Sequence, residues 1–251
     1  MIMHDELLYE HATVHAIRMR LENGSADVIT VPEGDDVRIL IDTDAEDAAP
    51  FLSVDVKDGT LLIRQRTPIP QLLKNRKRPT LHVTVEAPQA WKGALHAKTA
   101  SGKLHAEGVS GTDVTLGTVS GMLEAQGING ICVSLSGVTG EMAAEDIVCE
   151  KLRVASLSSA VRMQNVSFDR CRVQSVSGDA LIGTSGGMES IRCSTVSGDL
   201  TVATAHPAVD AAMHAASGCI RTQGVDLADG QPAIRMVTLT GRLTIIRTEG
   251  E

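Results

Sequence analysis

The sequence predicts an all-β protein, a single-domain parallel β-solenoid with 19 or 20 residues in each rung. One observation is a repeat whose successive copies begin at Ser101, Ser120, Thr139, Ser158, Ser177, Ser197, Ser217 and Thr240. The other is the alternation of apolar and polar residues inside each rung, which indicates strands with one buried face. A fixed period of this length is typical of solenoids, in which each rung stacks on its neighbours.

Apolar residues recur at six places of the rung, and we expect all six columns of side chains to face the core. The fifth column holds Leu116, Leu135, Val154 and Val173, and the sixth holds Val119, Val138, Leu157 and Val176. Polar residues stand between the columns, so the opposite face of each strand points to solvent. A helical period of about 3.6 residues would scramble these columns, which excludes helix in this region.

Glycine and small polar residues mark the corners of the predicted coil. Ser-Gly or Thr-Gly opens almost every rung, and the eighth place of the first four rungs holds Gly108, Gly127, Asp146 and Asn165. These residue types adopt a positive φ at the lowest cost. A chain that turns at the same places in every rung winds into a coil, and its equivalent strands lie about 4.8 Å apart.

Residues 1–93 precede the regular repeat. They predict an irregular β-structured N-terminal cap that is continuous with a regular solenoid over residues 94–251. Alternating apolar residues persist here, and Asn23-Gly24 and Asp58-Gly59 are dipeptides that favour tight turns. The strands would form either irregular first rungs or an antiparallel cap on the same core. Terminal repeats of solenoids are often atypical because they cover the end of the core.

A basic segment interrupts the N-terminal part and is a candidate interaction loop. Residues 64–78 contain no acidic residue and six bases, which are Arg64, Arg66, Lys74, Arg76, Lys77 and Arg78. Pro68 and Pro70 predict a loop in this segment. Such a loop could contact phosphate groups or an anionic membrane. The alternative is a solvated loop that faces the acidic block of residues 33–58.

Acidic and histidine residues of the later rungs are weak candidates for a metal site. Asp179 and Asp199 occupy the same place in successive rungs, where their carboxylates would stack and could share a cation. His206, Asp210 and His214 follow at intervals of four residues, which would converge only on a helix. The rung register makes this segment loop and strand. We therefore expect each Asp to accept hydrogen bonds from backbone amides at its corner, and we predict no metal and no cofactor.

One pattern resembles a hydrolase motif. Residues 183–187, Gly-Thr-Ser-Gly-Gly, match GxSxG, which in hydrolases needs a strand, a sharp turn and a helix behind the serine. Here the match lies inside a rung, where a one-residue insertion at a glycine corner explains it. We predict no catalytic residue and no enzyme.

Composition and charge disfavour several classes of function. Aromatic residues make up 2% of the chain, too few to supply the stacking platforms of sugar-binding proteins, and the net charge of −8 disfavours nucleic acid as a partner. The N-terminus has acids where a signal peptide needs bases, and no run of about 18 apolar residues predicts a transmembrane segment. We expect a cytoplasmic protein as the sequence is written, with peripheral association with the envelope as a further option.

Several segments resemble a known bacterial family. They are ENGSADVITVPEGDDVRILID and VDVKDGTLLI in the N-terminal part, and the repeated VSGDL and SG-x-L units. By these turn and core residues, the chain from about Ile17 to Ile246 resembles the putative-adhesin family of β-strand repeat proteins of unknown function. The resemblance implies a parallel β-helix, usually right-handed, and a link to envelope-stress systems in some relatives. It brings no catalytic residues.

Three functions follow from this reasoning. The leading hypothesis is a non-enzymatic, adhesin-like scaffold with an unknown protein or cell-envelope partner. The alternative is a polysaccharide-binding or polysaccharide-acting β-helix, which the low aromatic content disfavours. The second alternative is a self-assembling scaffold similar to the bactofilins. Charges at Arg247, Glu249 and Glu251 in the expected last rung disfavour such a polymer.

Overall fold

The computed structural model describes residues 3–32, 34–44, 50–66, 80–230 and 232–248. These residues are all-β apart from a 3-10 turn at His11–Thr13, and none forms a helix long and apolar enough to cross a membrane. The strands are β1 (Met3–Glu10), β2 (Ala16–Leu21), β3 (Gly24–Val31), β4 (Asp36–Thr43), β5 (Leu52–Lys57), β6 (Thr60–Gln65), β7 (Leu81–Pro88), β8 (Ala94–Glu107), β9 (Ser110–Gln126), β10 (Asn129–Glu145), β11 (Val148–Ser175), β12 (Ala180–Ser194), β13 (Leu200–Thr204), β14 (Ala208–Gln223), β15 (Asp226–Leu227) and β16 (Ala233–Arg247).

The contacts divide the chain into two compact units, residues 1–124 and residues 125–251. The first unit contains two kinds of strand pairing. Parallel pairs join β2 to β6 and to β8, and β3 to β7 and to β8. Antiparallel pairs join β1 to β4, β4 to β7, and β5 to β6. Irregular rungs and an antiparallel cap, which the sequence left as alternatives, are therefore both present.

The predicted turns have the backbone conformations that their residues favour. Asp58 and Gly59, with φ of 51° and 71°, form the two-residue turn between the antiparallel strands β5 and β6. At the repeated corner, φ is 68° for Gly108, 55° for Asp146 and 53° for Asn165. Positive φ recurs at the eighth place because the chain bends there in each of these rungs, as the sequence predicts.

The second unit is a stack of parallel strands. In β10 and β11 the register partners are 19 residues apart, as for Val133 and Leu152, and this offset places equivalent residues of successive rungs next to one another. Leu135, Val154 and Val173 of the fifth column are all buried. The all-β solenoid predicted from the repeat is therefore confirmed.

The order of the last rungs differs from their order in the sequence. β16 pairs with β12 and β13 on one side and with β14 on the other, so the final rung lies inside the stack. β16 places Ile234 and Ile245 next to Ala211 and Thr222 of β14. The more apolar strand gains more by burial and takes the position with neighbours on both sides. The last rung of the sequence is therefore not the outermost rung of the stack.

The sixth apolar column does not face the core. Val119, Val138, Leu157 and Val176 are all exposed, against the prediction from their apolar character. Successive residues of a strand point to opposite faces, and the residue before each of them takes the inward position. These inward residues are small or hydroxyl-bearing, as in Thr118 and Ser156. The sixth column therefore points to solvent.

Candidate functional site

The first unit contains a cleft of about 960 Å³ whose lining is rich in basic side chains. We name it the basic cleft. Its ionisable residues are Arg18, Arg20, Glu22, Arg64, His96 and Lys98. Glu22 is the single acidic residue among the described residues that line it, although the whole chain has a net charge of −8. Positive charge is therefore concentrated at this place.

The register of the parallel strands brings the cations of the basic cleft next to one another. Arg20 on β2 is the register partner of Arg64 on β6 and of Lys98 on β8. Arg18, two residues earlier, is the partner of His96. Gln65 holds the end of β6 against the end of β2. Its Oε1 accepts hydrogen bonds from the backbone N–H groups of Glu22 and Asn23 at 2.6 and 2.8 Å.

Among the described residues, the cations of the basic cleft have no carboxylate partners. No described residue forms an ion pair with Arg18, Arg20, Arg64 or Lys98. Other bases of the chain do have such partners, for example Lys103, whose Nζ lies 2.6 Å from Glu124 Oε2. The cleft therefore presents its positive charge to solvent.

A second surface feature lies in the second unit. Val138, Leu157, Val176, Val196 and Leu239 are 37 to 58% exposed, and we name this line of side chains the apolar ridge. Hydrogen bonds between neighbouring rungs set the line. Ser177 N–H donates to Leu157 O at 2.8 Å, Ser197 N–H to Val176 O at 2.9 Å, and Leu239 N–H to Val196 O at 3.1 Å.

The apolar ridge is free of charge along its length. The five-residue segments centred on its members read SGVTG, ASLSS, QSVSG, STVSG and VTLTG, and none contains an ionisable residue. Charged residues make up 22% of the chain, so these segments differ from the rest of it. Apolar surface in such a contiguous line marks an interaction site more often than scattered exposed residues do.

The family model of Toastrack DUF4097 matches residues 17–231. The chain belongs to this family. The match confirms the resemblance seen in the turn and core residues. No curated protein matches the chain.

Two solved structures share the fold at low sequence identity. A putative adhesin from Parabacteroides merdae has a TM-score of 0.64 and 11% identity, and the match covers 99% of this chain and 96% of that one. A putative lipid binding protein from Parabacteroides distasonis has a TM-score of 0.59 and 16% identity, with coverage of 98% and 97%. At these identities the likeness concerns the fold alone. The Toastrack chain therefore shares the overall architecture of these two structures.

The predicted basic loop is described only at its start. Arg64 lies on strand β6 and lines the basic cleft, so its placement in a loop is wrong. Arg66 is exposed just after β6, and its N–H donates to Phe51 O at 2.6 Å. The other four bases, Lys74, Arg76, Lys77 and Arg78, lie outside the described residues. The cations that accompany Arg64 in the cleft come from β2 and β8 instead.

The two stacked aspartates of the Toastrack chain accept hydrogen bonds from backbone amides. Asp179 Oδ1 accepts from the N–H of Asp199 at 2.8 Å, and Asp199 Oδ1 accepts from the N–H of Arg242 at 2.7 Å. The Arg242 guanidinium lies 3.9 Å from Asp199 Oδ2. Each carboxylate therefore stabilises the corner of the next rung.

The metal-site candidates His206, Asp210 and His214, which are four residues apart in the sequence, do not come together in the structure. Asp210 and His214 lie on strand β14, where four residues span about 13 Å, and His206 precedes it. Asp210 instead forms an ion pair of 2.6 Å with Arg235, whose hydrogen bond lowers the pKa of Asp210. Within the described part of the chain, no group of three His, Cys, Asp or Glu residues is arranged to hold a metal ion.

The GxSxG match lies within strand β12. Register shifts between β11 and β12 occur at Val166, next to this segment, and accommodate the extra residue of the rung. Ser185 is exposed on the strand, without the helix that a nucleophile elbow needs behind its serine.

Besides the basic cleft, sequence reasoning missed a second polar cluster. Ser25 Oγ lies 2.6 Å from His82 Nδ1, and His82 Nε2 lies 3.3 Å from Asp27 Oδ2, the kinds of group that form hydrolase triads. Strand β3 pairs with β7 on one side and with β8 on the other, so the ladders engage its amide groups. An oxyanion hole needs free amide donors. No local signal could reveal the cluster, because β3 and β7 are distant in the sequence.

The buried thiols are poor nucleophiles. Burial raises the pKa of Cys149 to about 12 and that of Cys193 to about 11, so both thiols are protonated at neutral pH. The thiolate is the reactive form of cysteine. These residues contribute to packing.

Proposed function

We propose that this Toastrack chain is a non-enzymatic, adhesin-like scaffold that binds a protein partner in the bacterial cell envelope through its apolar ridge. The exposed, charge-free line of five aliphatic side chains carries the proposal. The structural neighbour described as a putative adhesin supports the general class. Envelope association is part of the proposal, since a cell envelope is where an adhesin-like protein acts.

The construction of the ridge suits binding by a preformed surface. The backbone beneath it is held in parallel ladders on successive rungs, so the side chains need little ordering when a partner binds. The flanking residues are uncharged, so covering them removes no charge from water. A complementary apolar face on a partner protein would therefore gain from contact with the whole line.

Photo-crosslinking in the native bacterium tests the proposal. A photoreactive amino acid replaces Leu157 on the ridge in one strain and Leu181 in a second strain. Both leucines are exposed, at 46% and 40%, and Leu181 lies off the ridge. We expect a discrete protein adduct from position 157 and none from position 181. The partner identified by mass spectrometry should then be lost from pull-downs with Leu157→Asn and retained with Leu181→Asn.

Two results would contradict the proposal. One is the same set of adducts from both positions, which would show that capture does not depend on the ridge. The other is a partner that binds the Leu157→Asn variant as tightly as the unchanged protein.

The outermost strand of the second unit favours a second candidate, self-assembly. β14 pairs with β16 on one edge, and within the described part of the chain its other edge pairs at Ala208 and Val209 alone, with β15. An open edge of this length can template pairing with another chain. Light scattering should then show a molar mass that increases with protein concentration. Ala215→Lys on β14 should prevent this increase, whereas the control Ala155→Lys on β11 should not. A constant monomer mass would exclude this candidate.

A further inference from the structure

The three central cations of the basic cleft form one row. Arg20 is in register with Arg64 and with Lys98, and paired positions of parallel strands project from the same face. Neighbouring strands lie about 4.8 Å apart, so two guanidinium groups and an ammonium group stand side by side. Arg18 adds a fourth charge about 6.6 Å further along β2.

Such a row is unfavourable without a counter-charge. Like charges at directly opposed positions destabilise a sheet, and no described carboxylate pairs with these four residues. The concave surface concentrates the positive potential in one volume. A bound anion would remove the repulsion, and the ladders beneath hold the row in place before the anion arrives.

We propose that the basic cleft binds the phosphate group of a phosphomonoester. A guanidinium group presents a planar fork that matches two oxygens of a phosphate, and Arg20 and Arg64 offer two such forks from adjacent strands. Lys98 adds a point charge on the other side of Arg20. The three terminal oxygens of a phosphomonoester can engage all three groups at once, whereas the two oxygens of a carboxylate cannot.

The size and lining of the cleft indicate that the ligand extends beyond its phosphate. A volume of about 960 Å³ is in the range of small-molecule sites, and Val119 adds an aliphatic wall beside the polar residues. The phosphate group therefore belongs to a larger organic molecule, either a free metabolite or the headgroup of a lipid.

Titration calorimetry with the full chain at fixed ionic strength tests the proposal. The free probe is glycerol 3-phosphate, and the lipid probe is a vesicle of phosphatidic acid in phosphatidylcholine. The test variant is Arg20→Gln with Lys98→Gln. The control is Lys151→Gln with Arg221→Gln, which also removes two charges that no described carboxylate pairs with, but from strands β11 and β14, outside the cleft and not next to each other. All four side chains are exposed, so both variants should fold.

We expect at least about a tenfold weaker affinity in the test variant and a change of less than about twofold in the control. Binding of glycerol 3-phosphate would identify a free phosphomonoester as sufficient, and binding of the vesicle alone would identify a lipid headgroup as the ligand. Arg20→Lys with Arg64→Lys keeps the charge and removes the forks, so it should also weaken binding. An equal loss in the test and control variants, or no binding of either probe, would overturn the proposal.

Discussion

The fifth apolar column and the apolar ridge of the second unit are alike in sequence and opposite in surroundings. Leu135 and Val154 of the fifth column are buried, and Val138 and Leu157 of the ridge, three residues later in each rung, are exposed. Three steps along a strand reverse the face to which a side chain points. The comparison teaches that position in the rung, and not hydrophobicity, decides which aliphatic residues form the core.

In three rungs of the second unit, a hydroxyl group occupies the inward place between the two columns. Thr238 Oγ1 donates to Thr240 O at 3.0 Å, Thr195 Oγ1 to Ser197 O at 3.0 Å, and Ser175 Oγ to Ser177 O at 3.2 Å. In each case the donor bonds the carbonyl two residues later, at the corner. A polar side chain therefore takes the inward position at the turn, and the aliphatic residue that follows it is directed outward.

The largest expected effect is the difference in stability between a leucine-to-alanine substitution in the core and the same substitution on the ridge. Leu152→Ala in the core should lower the free energy of unfolding by about 2 to 5 kcal/mol, because Leu152 is buried and its loss leaves a cavity. Leu157→Ala on the ridge should change it by less than about 0.5 kcal/mol. Urea unfolding followed by circular dichroism measures both. Equal losses in the two variants would show that the ridge is part of the core.

An intermediate effect is expected at the corner. Thr238→Val keeps the shape of the side chain but removes the donor to Thr240 O, and should cost about 1 kcal/mol, because this hydrogen bond is lost. The Thr240 carbonyl still accepts from the N–H of Gly198 at 3.3 Å, so it is not left without a donor. Thr238→Ser keeps the hydroxyl group and serves as the control. A loss of stability in Thr238→Ser with none in Thr238→Val would mean that the methyl group, and not the hydrogen bond, holds the corner.

Much of the fold could be predicted from the sequence because the repeat makes each signal recur. The inward columns, the positive φ at Gly108 and Asn165, and the turn at Asp58-Gly59 all rest on local chemistry. The sixth column was assigned from apolar character alone, although the small or hydroxyl-bearing residue before each of its members carried the opposite signal. Successive residues of a strand alternate between its two faces, so counting from the buried Leu116 places Val119 on the outward face.

The features that could not be predicted depend on strand pairings between distant parts of the chain. Arg20 meets Arg64 and Lys98 only because β2 lies between β6 and β8, and nothing in the three local sequences states that order. The same limit applies to β16, which inserts before β14 in the stack. The basic cleft was therefore beyond sequence reasoning, although one of its residues, Arg64, belonged to the predicted basic segment.

The smallest expected effect concerns an outward contact, and it tests whether the core alone sets stability. The hydrogen bond from Arg235 lowers the pKa of Asp210 below its ordinary value of 3.8. A carboxyl with a lowered pKa stabilises the fold above its ordinary pKa, and this contribution is lost as the pH falls through the lowered value. Asp210→Asn should therefore reduce the urea midpoint slightly at neutral pH, since ion pairs near the surface are weak, and the difference from the unchanged protein should vanish in strong acid. Arg170, whose pairing with Glu189 is longer at 3.9 Å, provides the control variant Arg170→Gln, for which we expect a still smaller change. A difference between Asp210→Asn and the unchanged protein that stays constant from neutral pH to strong acid would mean that the carboxylate charge contributes nothing and that shape alone matters at this position.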